Sequence, residues 1–371
     1  MDYDELTYAC ALNSIFKYNC SKAKNIFDHF GNSSEIFSLE RKELENIFGR
    51  ASVFVDKILD RKHLEKAEKE IEWAEKHNVK ILHIADRSYP GNLKECCDAP
   101  LILFFYGNKL PAHEKKIAIV GTRKATSYGI AKCREIVKRL ATLSDPPAII
   151  SGLAYGIDIT AHLAAIENGL DTYAIMGTGI DNIYPSPHRG YAKKIIEHGG
   201  LITDFDSQTF PDRINFLQRN RIIAGMSDAV IVIESKIKGG AMITANLAAS
   251  YDREVFAVPG RIDDQFSSGC NKLIEENKAR IISSPEIISK YMSWDIAAKT
   301  ENKSKFVELS KSYNKIKQKI LLALSSESFL DKNTLIERTG CSPGEALVNL
   351  TELEMDGVIE MDLYGKYLLR K

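Results

Sequence analysis

The sequence predicts an α/β protein built on a doubly wound, mostly parallel sheet, with a small helical domain before it and a winged helix after it. Three observations lead there. Short apolar runs alternate with amphipathic helical stretches from Lys116 to Ile282, as in sheets that carry helices on both faces. Before residue 77 the apolar positions keep a helical period, and after residue 312 three helical stretches precede a short hairpin. At 371 residues the chain exceeds the usual single-domain size, which suits two or three such parts.

In residues 1–76, Leu6, Ala9, Cys10, Leu12, Ile15 and Phe16 recur at helical spacing, with breaks at Gly31-Asn32-Ser33-Ser34 and at Gly49. Several short helices follow, a small domain of the SAM or helix-hairpin-helix kind. A DNA-binding hairpin would present a glycine-rich turn with basic neighbours. This segment has isolated glycines and an acidic excess, which favours a docking role. Residues 77–291 form the core. Its predicted strands are Ile117 to Val120, Ala148 to Ile150, Thr172 to Met176, Leu201 to Thr203, Ala229 to Ile233, Val255 to Val258 and Arg280 to Ile282. Helices are predicted near 129–142, 158–168, 188–198, 216–226, 241–251 and 270–277. Two further runs, Ile81 to Ile84 and Leu101 to Phe105, add strands to the same sheet. Residues 292–312 are polar and glycine-free and read as a linker. Residues 313–371, ending in a hairpin around Leu363-Tyr364-Gly365-Lys366-Tyr367, have the order of a winged helix.

Composition excludes several classes. Hydrophobic residues make up 44% and charged residues 27%, and no run approaches the length of a bilayer span, so no membrane is expected as a partner. The start, Met1-Asp2-Tyr3-Asp4-Glu5, is acidic where an export signal would be basic and then apolar. Seven cysteines without a CxxC pair read as reduced thiols in a cytoplasmic protein, not as disulfides or a metal site. Basic and acidic residues balance at 50 each, but residues 76–291 carry 27 basic against 23 acidic side chains. An anion is therefore expected at the core, through a local patch.

Sheets of this kind bind ligands beyond the carboxyl ends of their strands, where strand order reverses. The first predicted core strand is followed by Gly121-Thr122-Arg123-Lys124-Ala125-Thr126-Ser127-Tyr128-Gly129, a turn that offers amides and a helix N-terminus to a phosphate. The second is followed by Ser151-Gly152-Leu153-Ala154-Tyr155-Gly156-Ile157-Asp158, the third by Gly177-Thr178-Gly179-Ile180-Asp181 and Tyr184-Pro185. The fifth leads into Glu234-Ser235-Lys236-Ile237-Lys238-Gly239-Gly240-Ala241, and the sixth into Pro259-Gly260-Arg261. Each alone is ordinary turn chemistry. Together on one sheet edge they predict a phosphate-lined crevice.

The missing motifs narrow the ligand. There is no GxxxxGK[ST] loop, and Gly177-Thr178-Gly179 does not extend to GxGxxG. Histidines 83, 162, 188 and 198 are too dispersed for a metal, and His162, four residues after Asp158, reads as a local hydrogen-bonding group. No catalytic residue, metal or cofactor is expected. In the stretch Phe216-Leu217-Gln218-Arg219-Asn220-Arg221, cations, an amide and an aromatic face are interleaved near a predicted helix start. That mixture suits single-stranded nucleic acid. The residue chemistry leaves a second reading open, with Arg219 and Arg221 as buried partners of Asp204, Asp206 or Glu234.

These motifs resemble the DNA-processing protein A family, also called DprA or Smf. The residues that carry the resemblance are Ile119-Val120-Gly121-Thr122-Arg123, Ser151 to Asp158 with His162, Gly177 to Asp181 with Tyr184-Pro185, Arg219 to Gly225, and Val258-Pro259-Gly260 with Gly269 and Asn271. The resemblance is dense over residues 80–285 and looser in the flanking domains. It implies an extended Rossmann-like core that dimerises and binds single-stranded DNA without known catalysis. It also implies a role in loading the recombinase RecA onto incoming DNA during natural transformation. By motif, the DNA site comprises Gly121, Thr122, Arg123, Ser151, Gly152, Arg219, Asn220 and Arg221, with Phe216 from the residue chemistry and Lys236, Gly239 and Gly240 as neighbours. Three departures stand out: Gly239-Gly240-Ala241-Met242-Ile243-Thr244 replaces a Ser-Gly-Ser turn, Thr203-Asp204 replaces Ser-Glu, and Leu217-Gln218 lacks a proline common before the arginines. The alternative is a nucleotide-processing enzyme of the lysine-decarboxylase-like phosphoribohydrolase type. Its PGGxGTxxE loop, aligned on Gly239-Gly240, puts Asn246 where the catalytic acid belongs. A purely scaffolding protein is the third reading.

Overall fold

The helical period read before residue 77 becomes α1 (Glu5–Ile15), α2 (Cys20–Phe30), α3 (Arg41–Phe48), α4 (Val53–Leu59) and α5 (Lys62–Lys76) in a computed structural model. It describes residues 3–294, 313–326, 330–361 and 365–369. Most of the expected linker, 295–312, and the hairpin residues Leu363 and Tyr364 lie outside the described residues. Side chains cap two of these helices at their starts: at α1 Asp4 accepts from the Thr7 amide at 2.8 Å, and Ser52 caps α4.

The segment expected as its own domain does not stand apart. Met1–Tyr291 is one unit, and Leu12, Ile15 and Phe16 share an apolar cluster with Leu82, Ile102, Leu103 and Ile202 of the sheet. Short amphipathic helices cannot bury their apolar faces alone, and the sheet edge supplies the second layer. Polar contacts add register. Asn13 donates to the Asp204 carbonyl at 2.9 Å, and Glu70 accepts from the Ser207 amide and hydroxyl at 2.6 and 2.8 Å.

The core follows the predicted alternation: β1 (Lys80–His83), α6 (Gly91–Lys94), β2 (Ile102–Gly107), β3 (Lys116–Val120), α7 (Ser127–Leu140), β4 (Ala148–Ser151), α8 (Ile157–Glu167) and β5 (Thr172–Ile175). It continues through α9 (Arg189–Glu197), β6 (Gly199–Thr203), α10 (Arg213–Met226), β7 (Ala229–Val232), α11 (Gly240–Ser250), β8 (Glu254–Ala257), α12 (Ser268–Glu275), β9 (Arg280–Ile281) and α13 (Glu286–Tyr291). The nine strands lie in the order β1-β2-β6-β5-β4-β3-β7-β8-β9. From β6 to β9 every pair is parallel; β2 runs antiparallel to both β1 and β6. Every residue of β3, β4 and β7 is buried, which explains their unbroken apolar runs. The strand order turns at β3, whose neighbours are β4 and β7, so the crevice expected of such a sheet opens above those strands.

One helix departs from expectation in a way that matters. α10 begins at Arg213, because Asp212 caps it by accepting from the Ile214 amide at 2.7 Å. Arg219, Asn220 and Arg221 therefore lie in mid-helix, away from the dipole end they were expected to share.

The second unit, Met292–Lys371, contains helices Lys315–Ser326, Lys332–Thr339 and Pro343–Met355, with β10 (Leu330–Asp331), β11 (Ile359–Met361) and β12 (Lys366–Leu369) paired antiparallel in the order β10-β12-β11. Leu321, Leu324, Leu335, Leu350, Leu353, Ile359 and Tyr367 form its core. Ser342 and Glu345 cap the third helix reciprocally.

Candidate nucleic-acid interface

A cavity of about 270 Å³ opens where the strand order turns. Its walls are the β3–α7 turn (Gly121, Thr122, Arg123), Ala154 and Asp158 at the start of α8, Phe216, Leu217, Arg219, Asn220 and Ile223 of α10, and Ser235, Lys236, Gly239, Gly240 and Ala241 with Thr244 around the start of α11. Of the residues singled out in the sequence, Gly121, Thr122, Arg123, Phe216, Arg219, Asn220, Lys236, Gly239 and Gly240 meet here.

Ser151, Gly152 and Arg221 do not line it. Ser151 is fully buried and donates to the Ile119 carbonyl at 2.6 Å. Gly152 lies beneath the floor, where a Cβ would collide with the Arg219 guanidinium. Arg221 is directed away from the cavity, to Asp204, to the Asp98 carbonyl and to Cys20 Sγ at 3.1 Å. It is thus the structural ion pair of the second sequence reading.

Arg219 behaves differently. One guanidinium nitrogen donates to the carbonyls of Gly152, at 2.7 Å, and Ile175. No carboxylate lies within ion-pair range among the described residues, and Asp158, beside it in the same wall, is the acid that offsets its charge. Burial, offset by Asp158 and reinforced by Arg123, pushes its pKa down to about 10, so it remains a cation. Asp158 is the one buried acid in the wall. Burial raises its carboxyl above the usual range, against Arg219 and the amides of Ala154 and Gly152. Asn220 is nearly buried, and its side-chain amide makes no hydrogen bond among the described residues while facing the cavity. Arg123 and Lys236 are exposed at the rim. Arg123 lies 5.8 Å from the centre of the Phe216 ring, which has room because residue 177 is glycine.

The phosphate turn expected after β3 is corrected by a residue far along the chain. The N-terminus of α7 is capped by Thr126, whose hydroxyl accepts from the Gly129 amide at 3.2 Å, and Glu234 holds this cap by accepting from the Thr126 amide at 2.9 Å and from its hydroxyl. A helix N-terminus without a side-chain cap in the cavity wall is that of α11, whose cap residue Gly239 offers no side-chain acceptor and whose first turn lines the cavity. Gly156, before α8, is required twice over: its φ is +76°, and a Cβ would strike Thr122 and Arg123. Asp158, Ala154, Ser235 and Thr244 were missed as wall residues. The Ser151–Asp158 motif and the approach to Gly239 were the available signals. The turns after β5 and β8, expected in the crevice, supply no wall residue.

His162 is fully buried, with Nδ1 2.7 Å from Thr172 Oγ1. Thr172 donates to the Ile149 carbonyl, so His162 Nδ1 must be the donor. Burial, then Arg219 and His188, push its pKa down to about 3 from 6.5. Below pH 6.5 the unfolded imidazole takes a proton that the folded ring refuses. The stabilising share is complete above that pH and is lost as pH falls toward 3. His162→Gln is expected to flatten the acid-side fall in unfolding free energy by about 1.4 kcal/mol per pH unit. Urea titrations from about pH 6.5 to about pH 4 read this, and parallel slopes in both proteins would refute it.

A family model described as DNA recombination-mediator protein A matches residues 80–293. The chain belongs to the DNA-processing protein A family. A model of the DprA winged helix domain matches residues 310–361. Family relatives include the DNA processing protein DprA of Streptococcus pneumoniae, 37% identical over 56% of this chain and 73% of its own. The protein Smf of Escherichia coli is 32% identical over 81% of this chain and 80% of its own. The solved structure of the S. pneumoniae family member is similar at TM-score 0.56 and 30% identity, covering 73% of this chain and 95% of that one. That of the Helicobacter pylori member, described for its single-stranded DNA binding mode, gives TM-score 0.52 and 28% identity over 58% of this chain and 95% of that one. Among the described residues no helix is long and apolar enough to cross a membrane.

Proposed function

We propose that the chain binds single-stranded DNA in the cavity at the turn of the sheet and serves as a recombination mediator without turnover. The observation that carries this is the convergence of Arg123, Arg219 and Lys236 with the unpaired Asn220 amide, the Phe216 ring and the uncapped start of α11. Cations and amides hold phosphates, and a ring and an amide hold a base. The binding mode reported for the H. pylori relative supports the ligand class. The phosphoribohydrolase alternative needs an acid where Asn246 stands, and Asn246 is exposed on α11 outside the cavity wall. The wider role is a homodimer in the cytoplasm that delivers the coated strand to a RecA recombinase during transformation. It rests on the family relationship. Filter binding of matched single- and double-stranded oligonucleotides across a salt series tests the binding. A single-strand preference is expected, with a log-log slope near −2 for about three phosphate contacts at about 0.7 each. Equal affinity for both forms, or a flat salt response, would overturn it.

The winged helix is assigned no duplex reading. Its third helix, Pro343–Met355, carries Glu345, Glu352 and Glu354, with Asp356 at its end, and no lysine or arginine. Lys317 of the first helix is held by Glu352 at 2.9 Å. A helix read against phosphates needs free cations. Removing residues 306–371 is expected to leave duplex affinity unchanged at matched salt. Loss of duplex binding confined to the truncation would contradict this.

A further inference from the structure

We propose that a strand held in the cavity continues over a ledge of exposed aromatic rings, Tyr184 beside Phe216 and the pair Tyr155 and Tyr191 packed on His188, and that this ledge stacks further bases of the same strand. The proposal rests on reading the cavity as a single-strand site. Tyr155 and Tyr191 pack edge-on against His188, at 4.7 and 5.6 Å between ring centres. His188 is buried and anchored through Nδ1 to the Leu153 carbonyl at 2.8 Å, so the ring between the tyrosines is fixed. The tyrosines are not: Tyr155 is 45% exposed, Tyr184 42% and Tyr191 38%.

The ledge is continuous with the cavity. Phe216, in the cavity wall, lies 5.3 Å from Tyr184. Gly156, next to Tyr155, is pressed against the Thr122–Arg123 backbone of the opposite wall. Lys194, one turn from Tyr191 on α9, is exposed beside its ring, Arg189 and Lys193 are exposed on the other flank of that helix, and none of these is in an ion pair among the described residues. Asp181 on the same loop is turned to the Gln208 amide at 3.0 Å. Exposed flat rings flanked by unpaired cations match bases on a phosphate backbone. A hydrophobic peptide would gain nothing from the cations.

The test uses the full chain and oligothymidylates of about 4 and about 15 nucleotides, the range of site sizes for single-strand grooves. Tyr155→Ala and Tyr191→Ala should bind the short oligomer as the wild type does and lose about fivefold to a hundredfold on the long one. Tyr155→Phe and Tyr191→Phe should restore long-oligomer binding, since stacking needs the ring and not the hydroxyl. Unchanged long-oligomer affinity, equal loss at both lengths, or failure of the phenylalanines to rescue would overturn the ledge. A wild type that binds neither length would instead sink the cavity reading, and the ledge with it. Photocrosslinking needs no substitution: 5-iodouracil spread along the long oligomer should mark Tyr155 or Tyr191. Crosslinks confined to the cavity wall would refute the proposal.

Discussion

Arg221→Ala is expected to lower the unfolding free energy by about 3–5 kcal/mol and to leave single-strand affinity, measured on the folded fraction, within about twofold of wild type. The guanidinium is buried and is the only cation paired with Asp204 among the described residues. Removing it strands a buried carboxylate whose other oxygen already lacks a partner. It also leaves the Asp98 carbonyl and Cys20 without their donor and loosens the seat of α2 against α10. Urea denaturation reads the loss. The variant Asp204→Leu with Arg221→Met should recover much of it, because apolar replacement of a whole buried pair is often neutral. Normal melting combined with lost DNA binding would return Arg221 to the interface.

The double substitution Arg123→Ala with Lys236→Ala should act in the opposite way, weakening single-strand binding by about a hundredfold or more while leaving the melting temperature near that of wild type. Both side chains are exposed at the cavity rim and contribute little to packing, so the fold does not depend on them. Each charge-assisted phosphate contact is worth about 1.5–3 kcal/mol. Losing two should reduce the magnitude of the log-log salt slope by about 1.4. Arg219 would still hold its charge in the floor, so weak binding should persist. Anisotropy titrations at several salt concentrations measure both quantities. An unchanged slope would show that these cations never meet the backbone.

The alternation of apolar runs and amphipathic stretches was legible because parallel strands buried on both faces have no polar positions to hide them. It located the strands of the core within a residue or two, and the glycine turns pointed to the edge of the sheet where the cavity opens. The order of motifs was sufficient to recognise the family. The helical period of residues 1–76 was equally plain, but their union with the sheet was not. An amphipathic face announces that it must be covered without naming what covers it.

The site residues divide on the same ground. Their chemistry is local and could be read; their direction depends on what surrounds them. Arg219 and Arg221 sit two residues apart on α10, about 200° around the helix, so they cannot share one ligand face. Which of them meets the cavity was decided by the layers on either side of α10, the sheet edge on one and α2 with Asp204 on the other. Glu234, more than a hundred residues from Thr126 in sequence, holds the threonine cap that closes the helix end the β3–α7 turn had offered to a phosphate. The start of α11, which no side chain caps, lines the cavity instead. By itself the sequence determined the elements, their order and the stock of cations, amides and rings. The tertiary structure decided which of those groups face one another, because a buried charge or an open helix end is satisfied by whatever the fold brings within about 3 Å, at any distance along the chain.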